Sequence, residues 1–294
     1  MNMSDHSPHP PRSPAQPPGC FVHQIFYDAA SRQSLSPEFI PLDNAASPRP
    51  EWFEFWPMRQ YLMTQSLQED GWYGFLSPKF TRKFGLPADQ LLGILDQARD
   101  HEDVVLASPH WDHAAYFLNV FEQGELWTPG LLDASQRLIE RAGIRVDLRS
   151  MVASSRTTVF SNYLVAKPVF WRKWLDLANL LFQCSERSDD PLWATLNAPT
   201  SYHAAGGQVP MKVFVQERLS SVVLAAQALR VGVIDLSDAA IVDPTLFVDE
   251  PSTRRKLQIC DTLKQAYMDS RDPEYLSVYR KFRATVPTVR PIPT

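Results

Sequence analysis

The run His23-Gln24-Ile25-Phe26-Tyr27-Asp28 constrains this chain more than any other segment. An apolar stretch, Phe21 to Tyr27, passes straight into polar residues, as a buried strand does where it opens onto a ligand. Trp72–Leu76 has the same character, and Asp103–Pro109 is a continuous apolar run of the kind that parallel sheets bury on both faces. Thr158–Ala166 and Arg230–Ile234 are further predicted strands. Helical patterns fall between them. Residues 52–68 place Trp52, Phe55, Trp56, Leu62, Met63 and the stem of Arg59 on one side, and residues 88–99 start after Pro87. A further helix runs to Phe121. Residues 130–142 end at Gly143, a C-cap. Helices over 170–184 and 210–229 follow, and helices near 252–269 and 273–284 close the chain. Residues 29–50, with Pro37, Pro41, Pro48 and Pro50, read as loop. Strands alternating with helices predict an α/β domain with a mainly parallel sheet flanked by helices and a helical C-terminal part.

Residues 1–19 carry Pro8, Pro10, Pro11, Pro14, Pro17 and Pro18 between Ser and His, with too little apolar surface to offset ordering entropy. They are expected to form a disordered tail. One domain is expected over 20–294, with 235–294 as a helical extension. A net charge of −4 with no basic block predicts neither a nucleic-acid footprint nor a polybasic membrane anchor. The three cysteines, Cys20, Cys184 and Cys260, fit no zinc or disulfide spacing, which points to a reducing compartment. With no leader pattern and no long apolar stretch, the expected location is cytoplasmic. Glycine-rich nucleotide loops are missing from the sequence, which argues against Rossmann and P-loop proteins.

Ligands of open α/β sheets bind beyond the carboxyl ends of the strands. Two polar clusters stand at such ends: Tyr27-Asp28, and His110-Trp111-Asp112-His113 after Pro109. An aromatic ring can stack on a base, and a carboxylate can take a ribose hydroxyl or a metal. Imidazole and carboxylate together suit zinc, manganese or iron, so His110, Asp112 and His113 are metal candidates. Asp100-His101-Glu102-Asp103 lies at the other end of its strand and reads as a solvated charge run. Within the 210–229 helix, Arg218 shares a stripe with Met211, Val215, Val222 and Ala226, which directs its guanidinium to the core or a cleft wall. A buried guanidinium requires a partner, either a structural carboxylate or a substrate. Glu217 points off that stripe. Asn162 is placed to bond a sugar hydroxyl or a loop backbone. Ser77, Ser154 and Ser155 lack a nucleophile elbow, which argues against a serine hydrolase.

Taken together, four segments resemble a family. Val22-His23-Gln24-Ile25-Phe26 resembles the first strand of GT-A-type glycosyltransferases, and Trp72–Phe80 is similar to the second-strand segment of bacterial capsular-polysaccharide glycosyltransferases. Ser161–Lys167 is similar to their later Asn-containing strand, and Phe214-Val215-Gln216-Glu217-Arg218-Leu219 resembles their Phe-x-x-Glu-Arg-Leu helix. The segments occur in the family's order and span roughly residues 20–235. The resemblance implies a GT-A-like fold and transfer of a sugar from a nucleotide-diphosphate donor to a glycan or lipid-linked acceptor in surface-polysaccharide assembly. The enzyme would be cytoplasmic, or peripheral at the inner membrane through its acceptor. It implies donor contacts from His23, Gln24, Tyr27, Asp28, Arg49, Lys79 and Arg218, and acceptor contacts from Trp111 and Asn162. Asp112 and Glu217 are the catalytic carboxylates to expect, with Asp112 and His110 as ligands to manganese or magnesium. Tyr27, Trp72, Trp111 and Trp127 are the stacking aromatics. The chain departs from the family in two places: Ser77-Pro78-Lys79-Phe80 replaces a His-Tyr-Arg-Arg step, and no Asp-x-Asp follows a strand. Two alternatives therefore stand beside transfer: a catalytically silent nucleotide- or sugar-binding protein, and a metal hydrolase built on His110, Asp112 and His113.

Overall fold

The computed structural model describes residues 16–202, 207–235 and 242–292. The elements run β1 (Cys20–Phe26), α1 (Ala29–Gln33), β2 (Ile40–Asp43), α2 (Phe55–Thr64), β3 (Trp72–Leu76), α3 (Phe80–Phe84), α4 (Ala88–Ala98), β4 (Val104–Leu106), α5 (Trp111–Tyr116), α6 (Val120–Trp127) and α7 (Leu131–Arg141). They continue with β5 (Leu164–Ala166), α8 (Pro168–Glu186), α9 (Trp193–Leu196), β6 (Pro199–Tyr202), β7 (Gly207–Pro210), α10 (Met211–Gln216), α11 (Leu219–Ala226), β8 (Val231–Val233), α12 (Pro251–Ser270) and α13 (Pro273–Arg283). Six strands form one sheet in the order β2-β1-β3-β5-β4-β8. Only β5 is reversed: it pairs antiparallel with both β3 and β4, while the other pairings are parallel. The carboxyl ends of five strands and the amino end of β5 therefore share one edge.

Both faces of this sheet are covered, which is why its strands read as unbroken apolar runs. Phe21, Ile25, Tyr73, Phe75, Val104, Leu106 and Leu164 pack towards α2, α8, α10 and α11. Their neighbours along the strands, Val22, Trp72, Leu76, Val105 and Val165, pack towards α3 and α4. Gly74 belongs to the second set, and a Cβ there would stand 2.9 Å from Val165 Cγ2. A third apolar layer joins Trp111, Ala115 and Tyr116 of α5 to Leu257 and Cys260 of α12 and Tyr279 of α13. The three cysteines are buried, one in each layer. Among the described residues no helix is long and apolar enough to cross a membrane.

Residues 1–15 of the expected tail lie outside the described residues. From Gln16 the chain is tied down: the Gln16 amide donates to Val22 O (2.8 Å) and Glu38 O (2.9 Å) and accepts from Val22 N (3.0 Å). Several elements differ from the sequence expectation. The helix expected to run to Phe121 is two, α5 ending at Tyr116 and α6 starting at Val120, where the Asn119 side chain caps it by accepting from the N–H groups of Phe121 and Glu122. Residues 29–50 contain β2, where Pro41 is tolerated because the strand is an edge. The strand expected over Thr158–Ala166 shrinks to β5, because the N–H groups of Val159 and Phe160 bond the hydroxyls of Ser221 and Ser108 instead of a neighbouring strand. The single helix expected over 210–229 is two helices, broken at Glu217-Arg218. There Arg218 Nη1 takes the carbonyl of Phe214 (2.8 Å), and the Arg218 N–H turns to Val215 O (3.1 Å).

The C-terminal helices are held to α5 by Lys264. Its ammonium is fully buried and donates to the carbonyls of Ala114, Phe117 and Ala153. Burial pulls its pKa down to about 8. Between that value and 10.5 the unfolded chain holds this proton and the folded chain does not, so stability rises with pH. Cys260 opposes the trend above pH 9.0, because its folded pKa is pushed up to about 11 by burial. Unfolding temperatures are therefore expected to rise from pH 8 to 9, by the equivalent of at most about 1 kcal/mol, and then to level off, because above pH 9.0 the Lys264 and Cys260 slopes cancel. In Lys264→Met the rise should vanish.

Candidate functional site

A cavity of about 480 Å³ lies at the carboxyl ends of β1, β2 and β3. Four expected residues meet in it: Tyr27 after β1, Lys79 after β3, Asn162 before the reversed β5, and Glu217 at the α10–α11 break. Lys83 joins Lys79 one helical turn later, with its Nζ 3.4 Å from Ser161 Oγ. Tyr27 and Phe53 are both about two-fifths exposed, at 42% and 43%, although each is a large ring. Open rings on a cavity wall offer stacking faces. Gln216 is buried at the floor, and its Oε1 has no partner in the protein.

Backbone strain gathers at the same edge. Five non-glycine residues among those described have φ in the left-handed region. Phe53, Ser161 and Asn162 line this cavity, His110 follows β4, and Arg271 merely ends α12. Each costs about 1 kcal/mol or more and persists only where the surroundings fix it, which is typical of binding sites. Asn162 is fixed by accepting from Ser220 Oγ at 3.0 Å. Glu217 is surrounded by protein, yet its carboxylate opens to the cavity. Desolvation raises its pKa, Arg218 counters, and Glu54 across the cavity raises it further.

Arg218 itself faces away from the cavity. Its guanidinium donates to Val120 O (3.1 Å), Phe214 O (2.8 Å) and Gln123 Oε1 (3.2 Å), with the Glu217 carboxylate 4.0 Å away. Arginine has no acceptor, so the Gln123 oxygen must face it and the Gln123 amide nitrogen must face His113 Nδ1 at 3.3 Å. His113 then carries its proton on Nε2, towards Asp243 Oδ2 at 3.0 Å. The Asp243 carboxylate is held low by that bond, and the Asp243 N–H donates to Asp112 Oδ2 at 2.7 Å. One hydrogen-bonded chain thus runs from Arg218 to Asp112, with the Glu217 carboxylate 4.0 Å from its Arg218 end.

Ligand atoms of His110, Asp112 and His113 lie within 4.8 Å of one another. Both nitrogens of His113 are engaged in the chain just described, which leaves His110 and Asp112 Oδ1, a buried oxygen without a partner. Burial lowers the His110 pKa and His113 lowers it further, with Lys83 a smaller contributor, and none of His110, Asp112 and His113 lines the cavity over β1–β3.

The other expected residues go elsewhere. His23 lies in the core, stacked on Phe75 at 5.4 Å, and burial lowers its pKa to about 4. Gln24 clamps the loops, donating to Ser77 O (3.2 Å) and accepting from Ser36 N (2.8 Å). Asp28 caps α1 by accepting from Ser31 N at 2.6 Å. Arg49 pairs with Glu51 (2.7 Å) and Glu186 (2.6 Å) and lies over the rings of Trp56 and Phe182. Trp72 is core, and Trp111 lines a second cavity at the ends of β4 and β8.

No family model, curated protein or solved structure matches this chain. The site therefore rests on its own geometry. Sequence reasoning missed Phe53, Glu54, Lys83 and Asp243. The spacing of Lys83 four residues after Lys79 could have signalled a shared face. Nothing in the local pattern marks the other three.

Proposed function

We propose that this chain is a GT-A-type glycosyltransferase of surface-polysaccharide assembly, with its nucleotide-diphosphate sugar in the cavity over β1–β3. The observation that carries the reading is one cavity combining open rings (Tyr27, Phe53), two lysines (Lys79, Lys83) and a carboxylate with a raised pKa (Glu217). The rings suit the base, and the lysines face the charge of a leaving diphosphate. An acceptor hydroxyl attacks the anomeric carbon as Glu217 takes its proton. The bond to the diphosphate oxygen breaks, and its electron pair leaves with the diphosphate. The mostly parallel sheet, with strand ends gathered at one edge, agrees with this reading.

The orphaned Asp112 Oδ1 and His110 are the residues that would hold a manganese or magnesium ion. Such an ion would supply charge stabilisation to the diphosphate. His113 is not offered as a third ligand, which weighs against the metal hydrolase. Asp112 offers only one uncommitted oxygen, and that favours the silent binding protein as the second reading. Isothermal titration with UDP, GDP and CMP, each with and without manganese, tests the reading. Binding of one nucleotide is expected, and no binding at millimolar concentration would overturn it. Slow donor hydrolysis separates the enzyme from the binding protein.

A further inference from the structure

The second cavity, of about 350 Å³, lies beyond the β4–α5 turn, between α5 and α12. Its wall carries Arg156 as the only cation among the described residues, already paired with Asp269 at 3.3 Å, against the carboxylates of Asp235 and Asp261. The cavity over β1–β3 instead sets two lysines against two carboxylates, Glu54 and Glu217. A diphosphate is thus better placed in the first cavity and a neutral ligand in the second.

The second wall is also organised. Asp261 is held rigid by Ser155 N (2.8 Å), Ser155 Oγ (2.6 Å) and Gln265 Nε2 (2.7 Å), and its oxygens keep lone pairs to spare. Trp111 and Thr158 line the cavity, are at least nine-tenths buried, and each holds a polar atom with no partner in the protein: Nε1 and Oγ1. Buried polar atoms without partners are rare and call for an explanation. Pro109, Val233 and Ile234 add apolar surface. Carboxylate, amides and hydroxyls beside an indole and aliphatic faces match a ring that carries hydroxyls on its rim and C–H bonds on its faces.

We infer that this cavity binds a neutral saccharide, the sugar portion of the acceptor. The inference rests on the transferase reading for the word acceptor, but not for the binding. It selects a glycan over a lipid phosphate as the element recognised here. The 155–162 segment contributes to both walls, with Ser155, Arg156 and Thr158 on one side and Ser161 and Asn162 on the other. The two ligands would therefore meet across that ridge.

Amide-shift NMR on the full chain tests this with three neutral disaccharides, maltose, cellobiose and lactose, and separately with UDP. At least one disaccharide is expected to shift the amides of Thr158, Thr262 and Gln265 at millimolar concentration, and UDP those of Tyr27, Lys83 and Glu217. Thr158→Val, which removes the unpartnered hydroxyl at constant shape, should weaken the disaccharide roughly five-fold. Thr262→Trp, at an exposed position on the wall, should abolish its binding and leave UDP unaffected. No shift with any disaccharide, or shifts unchanged in both variants, would overturn the inference. Disaccharide binding without UDP binding would instead sink the nucleotide reading and leave the saccharide site standing.

Discussion

Replacing Glu217 by glutamine is expected to lower sugar transfer between about a hundred- and ten-thousand-fold, the usual contribution of a general base. The change is isosteric, so nucleotide affinity by titration should be little altered. Two further readouts separate a base from a structural carboxylate. The first is the pH profile. Glu217 acts as a base only when ionised, and burial holds its pKa above the ordinary 4.5. Activity should be present above that raised pKa, fall as pH drops through it, and lose this acid limb in Glu217→Gln. The second is stability. A raised folded pKa means the native state keeps the proton longer than the unfolded chain, so ionisation destabilises the fold as pH rises. Glutamine removes that penalty, and the variant should unfold at an equal or higher temperature at neutral pH. A variant with undiminished transfer would remove Glu217 from the chemistry.

Gly124→Ala should destabilise the protein by about 3 kcal/mol, read as a lower midpoint in denaturant. A methyl group there would meet Leu131 and stand 2.7 Å from Arg218 Cζ. Arg218 cannot simply withdraw, because it satisfies Val120 O, Phe214 O and Gln123. Alanine favours a helix by about 1 kcal/mol over glycine, so the steric term must exceed that gain to show. Gly93 supplies the control. It is also helical, in α4, but exposed, and a Cβ there meets nothing within 4 Å. Gly93→Ala should therefore stabilise by up to about 1 kcal/mol. Equal effects at the two sites would remove the role given to the Arg218 packing.

Trp72–Leu76 was legible to the residue, because a strand buried on both faces needs an unbroken apolar run. Gly143, with φ 73°, ends α7 where its position predicted. What escaped depended on side chains competing for backbone groups. The hydroxyls of Ser108 and Ser221 shorten β5, and the guanidinium of Arg218 splits a helix that periodicity had joined. The site was legible to the same extent. A strand end located Tyr27, and the family-like segments Trp72–Phe80, Ser161–Lys167 and Phe214–Leu219 supplied Lys79, Asn162 and Glu217, but the helix break that turns Glu217 to the cavity was not foreseen. The strand beginning at β1 did not tell that His23 points inward, nor Arg49 that its charge is met by Glu186. Asp243 reaches His113 across 130 positions of sequence, a separation that no local pattern encodes.

The three buried cysteines have a practical consequence. Burial raises the pKa of each thiol, so in the folded chain all three should react slowly with alkylating reagents. A cysteine introduced at exposed Thr262 would then be the one fast-labelling position, ready for a fluorophore beside the second cavity. The native thiols serve as three separate clocks. Cys20 reports opening of the layer under α3 and α4, Cys184 the layer under α8, and Cys260 the seam between α12 and α5. Their relative labelling rates would show which layer of the molecule lets go first.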